Sequence, residues 1–309
     1  MHGLIHTLRT PCILRTLSVV FLTAGLIGAP TMRSADAAGK SMPIQIGMAK
    51  TFVLEKSKGF VDVATDDFKE VMKKSTGLDG EVHFKFAPAE VAEKLVNKQL
   101  DFGILHAHEF AWLHAKYPDL QPLMIAANKN YVERAYLVVH KTSSAKTIAD
   151  LRGKSLDMPL GSKEHCRVFL KKICGDHDPR GVNSFFGSIA KSASQSDALD
   201  DVARGKAHAT VIDTITLEFY KEIKGPVFAK NLTILQQSEA FPPAVIAYMK
   251  GALEEETLNQ FRDGLLKAHT TQVGRDMMKT WTIEAFEPIP KDFSKSLAEV
   301  LKAYPTPPQ

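Results

Sequence analysis

Cysteine is scarce, with three residues in a chain of 309. That is too few for a fold stapled by disulfides. An excess of one charge is also lacking. The 39 Lys and Arg face 35 Asp and Glu, a net +4 spread along the chain, which excludes the basic footprint of a nucleic-acid binder. Beyond residue 29 no stretch approaches the ~20 consecutive apolar residues of a membrane span, so a polytopic membrane protein is excluded. The 19 Gly and 16 Pro are too few for a collagen-like or low-complexity chain. What remains is an ordinary globular composition, 44% hydrophobic and 24% charged. At roughly 150 residues per domain, the length suggests two domains or lobes.

Residues 1–37 read as an export signal. Arg9 and Arg15 supply the positive start, and a mostly apolar run follows from Leu17 to Ala29. That run fits the ~7–15 residues of a signal core and falls short of a membrane span. Ala35 and Ala37 place small residues at the −3 and −1 positions of a cleavage site. Cys12 would leave with the signal, and the remaining chain is expected in the periplasm. Cys166 and Cys174 then remain. Eight residues along one helix is about 12 Å, beyond disulfide reach, so they could pair only if the helix ended between them.

Strand-like and helix-like segments alternate. Glu81 to Phe86 alternates with period two, as a half-buried strand does. Phe60 to Thr76 repeats apolar residues at helical spacing and stops at Gly77. Helices are also expected over Ser162–Ile173, Ser196–Arg204 and Thr214–Ile223. The alternation predicts an α/β protein whose lobes are mostly parallel sheets flanked by helices. Short crossings near Asn128–Glu133 and Gln236–Pro243 would make one lobe of 43–130 plus 240–309, with 131–239 inserted as the second.

Enzyme motifs fail on inspection. Arg152 to Ser155 resembles the end of a phosphate-binding P-loop, but Ile148 stands where its first glycine belongs and a strand follows. His108-Glu109 begins like a zinc-protease helix, yet Trp112 replaces the second histidine. No serine carries nucleophile-elbow glycines, and His165 beside Cys166 points elsewhere on a helix. No catalytic residues, resident metal or cofactor are expected.

Four segments in order carry a resemblance: Asn97 to Leu105, Arg134 to Ser144, Thr147 to Leu156 with its Asp-Leu-Arg-Gly-Lys element, and Ser196 to Asp213. Together they resemble the extracytoplasmic substrate-binding proteins of ABC transporters, most of all the phosphate/phosphite/phosphonate subfamily. The resemblance implies a two-lobed, type II-like periplasmic-binding-protein fold that closes on a ligand. It places His106 and His108 on one side of the cleft, and Asp213 and Thr214 on the other. Family members hold the anion at a helix N-terminus with a Ser-Thr-Ser-Gly run. Here that stretch is Leu160 to His165, where Ser162 and Lys163 are the candidate cradle and His165 follows. The family's histidine before the next helix is absent, since Ser194-Gln195-Ser196 precedes Asp197. Phe52, Tyr131 and Tyr136 are candidate cleft aromatics. Ser162 and Asp213 could equally be plain helix N-caps.

The expected function is capture of a small oxyanion, phosphate- or phosphonate-like, and its delivery to an ABC permease by a monomer that binds no nucleic acid. Two alternatives stay open. His106, His108 and His165 could hold a metal or metal complex, or the chain could be the ligand module of a signalling receptor.

Overall fold

A computed structural model describes residues 42–54, 56–128 and 132–307. The predicted export signal and Tyr131 lie outside the described residues. Strand β1 (Ile44–Ala49), helix α1 (Lys58–Val71), β2 (Gly80–Phe86), α2 (Pro88–Val96), β3 (Phe102–Leu105), α3 (Ala107–Lys116) and β4 (Leu120–Ala127) come first. A second group follows: β5 (Ala135–His140), β6 (Ser155–Asp157), α4 (Glu164–Gly175), α5 (Val182–Phe185), β7 (Ser188–Ala190), α6 (Gln195–Ala203), β8 (Ala209–Asp213), α7 (Thr214–Asn231) and β9 (Leu232–Gln237). The chain ends with β10 (Ala244–Met249), α8 (Glu255–Leu266), α9 (Gln272–Thr280), β11 (Ala285–Pro288) and α10 (Phe293–Ala303).

Two sheets result. One is ordered β11-β4-β10-β3-β1-β2, the other β7-β6-β8-β5-β9. Both are mixed, not mostly parallel as the alternation predicts. β1 pairs in parallel with β2 and β3, and β6 with β7 and β8. β10 runs antiparallel between β3 and β4, β11 runs antiparallel to β4, and β5 runs antiparallel to β8 and β9. The cause is local. Among the described residues no helix separates β4 from β5, or β9 from β10, so each new strand enters its sheet against the grain. Periodicity shows that a strand exists but not which way it enters.

Local signals explain most elements. α1 buries Ala64, Phe68 and Val71 along one stripe. A π-helical turn follows, and Gly77 closes it at φ 73. In β2, Val82 and Phe84 are buried while Glu81 and Lys85 are exposed. The central strands β3 and β8 are buried at every residue, as strands covered on both faces must be. α7 runs past its predicted end but breaks at Lys224 (φ −121, ψ 33), two residues before Pro226, which cannot donate a helical hydrogen bond. α4 continues through Cys174, so Cys166 and Cys174 share one helix; both are buried and free.

The chain passes from the first sheet to the second between β4 and β5, and returns between β9 and β10. The two passages touch. Glu133 N–H donates to the Phe241 carbonyl at 2.9 Å, and Phe241 N–H to the Glu133 carbonyl at 2.8 Å. Beside them, Arg134 Nη1 donates to the Ser238 carbonyl at 2.7 Å.

Candidate functional site

The two central strands deliver their C-terminal ends to one cavity of about 390 Å³. β3 stops at Leu105 and His106 caps α3; β8 stops at Asp213, which caps α7. A third approach follows β6, where the chain turns through Gly161 (φ 71) and enters α4 behind Lys163, its N-cap. A positive φ of this kind favours glycine. Ala107, Glu164 and Ile215, from the first turns of α3, α4 and α7, all line the cavity. The first N–H groups of a helix lack intrahelical partners and carry the positive end of its dipole, so three such ends favour negative charge between them.

Side chains temper that field. Lys163 Nζ lies 2.9 Å from Glu133 Oε1 and 3.9 Å from Asp213 Oδ2. Burial alone would lower the Lys163 pKa, but Asp213 and Glu133 together raise it. Asp213 is likewise buried, yet Lys163 and His165 hold its pKa below the usual value. Its Oδ1 accepts from Thr216 N–H at 2.9 Å, and its Oδ2 from Gln195 Nε2 at 2.8 Å. Asp213 is thus helix cap and cavity wall at once, so the two readings of its role do not compete. Glu164 is pushed up to about 7 by burial, partly offset by Arg167 and Lys171.

Three histidines are held neutral. Burial lowers His106 well below its usual range, His108 to about 3, and His165 despite the nearby Glu133. The His106 ring stacks on Phe52 at 3.8 Å, and His108 packs edge-on against Trp112 and Phe241. The Nε2 atoms of all three, and Glu133 Oε2, are buried without a hydrogen-bond partner. Such orphans cost free energy unless something meets them. Among the described residues no three His, Cys, Asp or Glu groups converge to hold a metal ion.

Of the residues singled out from sequence, Phe52, His106, His108, Ser162, Lys163, His165 and Asp213 line this cavity. Tyr136 does not. Along β5, Ala135, Leu137 and Val139 face α4, while Tyr136 packs with Leu199, Tyr220 and Phe228 beside α6 and α7. The one-in-two alternation of a strand decides this. Ser162 is not the N-cap; its Oγ donates to the Pro159 carbonyl at 2.8 Å and braces the turn. Sequence reasoning missed Glu133, Gln195, Glu164 and Phe241, and a wall of apolar side chains including Phe60, Met277 and Trp281. Gln195 had a signal: it stands in the stretch where the family's histidine is absent, and it bonds Asp213 instead.

A family model described as "ABC transporter, phosphonate, periplasmic substrate-binding protein" matches residues 55–292. The chain belongs to this family. Members are transport components and not an enzyme class; they bind a small molecule, work with an ABC permease and act outside the cytoplasm. Among the described residues no helix is long and apolar enough to cross a membrane. Solved structures share the two-lobed α/β fold. XAC2383 from Xanthomonas citri, bound to ATP, superposes with a TM-score of 0.58 at 14% identity over 85% of this chain and 97% of its own. PhnD1 from Prochlorococcus marinus, in complex with methylphosphonate, gives 0.57 at 10% identity over 84% and 97%. A binding protein component of an ABC phosphonate transporter from Pseudomonas aeruginosa gives 0.56 at 14% identity over 84% and 85%. No curated protein matches the chain significantly.

Proposed function

We propose that this protein captures a phosphonate-type oxyanion in the cavity and hands it, in the periplasm and as a monomer, to an ABC permease. The observation that carries the reading is that three helix N-termini and Lys163 line one cavity. Lys163 has three N–H donors, and the Glu133 bond at 2.9 Å takes one of them. The carboxylates set the form of the head. Glu133 and Asp213 together outweigh the single charge of Lys163, so a dianion is disfavoured. A monoprotonated phosphonate suits the site better, because its P–OH can donate to Glu133 Oε2, which accepts no hydrogen bond and lies 3.6 Å from His165 Nε2.

The two lobes, 43–130 plus 240–309 and 131–239, would close about the paired passages at Glu133 and Phe241. Ligand contacts from both sides then favour the closed state. Titration calorimetry with methylphosphonate, phosphate, sulfate and methanesulfonate tests the reading. The protein should prefer the phosphorus oxyanions, and Lys163→Ala should weaken them at least tenfold (about 1.4 kcal/mol). Equal affinity in the two proteins would remove Lys163 from the site.

A further inference from the structure

The cavity is larger and more apolar than an oxyanion requires. Its 390 Å³ lies within the range of about 300–1,000 Å³ typical of pockets for small organic ligands. Its far wall is a breach in a hydrophobic core. Met48, Ile104, Ile246 and Phe286 project from β1, β3, β10 and β11 on one face of the first sheet, and Phe68 of α1 and Met277 of α9 face them. All six belong to one buried cluster and all six also line the cavity. Protein cores are close-packed, so a cavity that reaches this far into one leaves apolar side chains without the neighbours they would have elsewhere in it. The turn after α9 completes the wall. Thr282 adopts φ 55, a conformation foreign to a β-branched residue, and Trp281 there stacks on Phe84 at 5.9 Å and meets Phe60 edge-on at 5.5 Å. The Trp281 indole N–H is buried without a partner.

We infer that the ligand is amphipathic: a compact oxyanion at the α3, α4 and α7 N-termini, carrying an alkyl or aryl arm that fills the apolar space between the first sheet, α1 and α9. This rests on the oxyanion reading above and narrows it. Methylphosphonate and phosphate would then be poor ligands, because they carry little or no apolar arm to bury there. Longer substituents gain from its burial at about 0.8 kcal/mol per methylene, or threefold to fourfold in affinity.

The test is calorimetry on the purified protein with methyl-, butyl-, hexyl- and phenylphosphonate, alongside hexanoate and hexanesulfonate. Affinity should climb threefold to fourfold per methylene until the space is full, with an increasingly negative heat-capacity change. Ala126→Leu, which pushes a larger side chain into the apolar end, should bring the hexyl-to-methyl affinity ratio towards one. If methylphosphonate binds as tightly as hexylphosphonate, this inference fails and the oxyanion reading stands. If no phosphonate binds but hexanoate or hexanesulfonate does, the phosphonate head fails and the apolar arm stands. An unchanged ratio in Ala126→Leu would place the arm elsewhere and overturn the assignment. Should that variant not fold, the chain-length series on the unaltered protein decides alone.

Discussion

Replacing Glu109 by Gln should change how stability responds to pH. Glu109 sits in the first turn of α3, is 2% exposed, and accepts the His106 N–H at 3.0 Å. Burial drives its pKa from 4.5 to about 8, partly offset by the His106 N–H it accepts. A carboxyl with a raised folded-state pKa stabilises the fold while protonated in both states. That advantage is lost as pH rises from 4.5, where the unfolded chain ionises, and the loss levels off near 8. At 1.36 kcal/mol per pKa unit, the whole span is worth about 5 kcal/mol. The buried histidines act in the opposite sense, because their lowered pKa values make stability rise with pH, but only up to about 6.5. Glu164 acts in the same sense as Glu109 and levels off near 7. Urea unfolding followed by tryptophan fluorescence, at intervals from pH 5 to 9, would be run on both proteins. The variant keeps an oxygen for the His106 N–H and loses the titration. The difference between the curves should therefore open steadily in the variant's favour, by about 2 kcal/mol between pH 6.5 and 8. Parallel curves across that window would refute the assignment of a neutral, buried Glu109.

Two further outcomes follow from the cavity. Anion affinity should fall as pH rises through about 7, because protonated Glu164 can donate to an oxyanion and its ionised form repels one. Glu164→Gln should flatten that dependence in calorimetry, and an identical pH profile in the variant would sink the idea. Gly161→Ala places a side chain at φ 71 and should cost about 1–2 kcal/mol of stability. The same change should weaken ligand binding by shifting Lys163, measured by thermal denaturation with and without ligand.

Much of the scaffold was legible because its signals are local. The alternation in β2, the helical stripe of α1 and the stop at Gly77 each need only a few neighbouring residues. The likeness of the β3 and β8 ends was also readable, since each strand runs straight into a polar cap. Relations between distant segments were not. Strand direction depends on helix-free passages, and Tyr136 was misplaced because one residue of register separates the two faces of β5. α9 carries a helical apolar stripe at Val273, Met277 and Met278, but it spans only nine residues and buries just Gly274, Met277 and Met278. The apolar wall of the cavity therefore went unseen, because half of it comes from that helix and the turn after it.

The backbone contact between Glu133 and Phe241 ties the two connecting strands into one strap, and Glu133 also reaches Lys163 with its carboxylate. Under the proposed function, a guest that drew Lys163 away would pull on that strap through Glu133 alone. Occupancy and posture would then share a single residue, and a transporter at the membrane would need only to feel the posture.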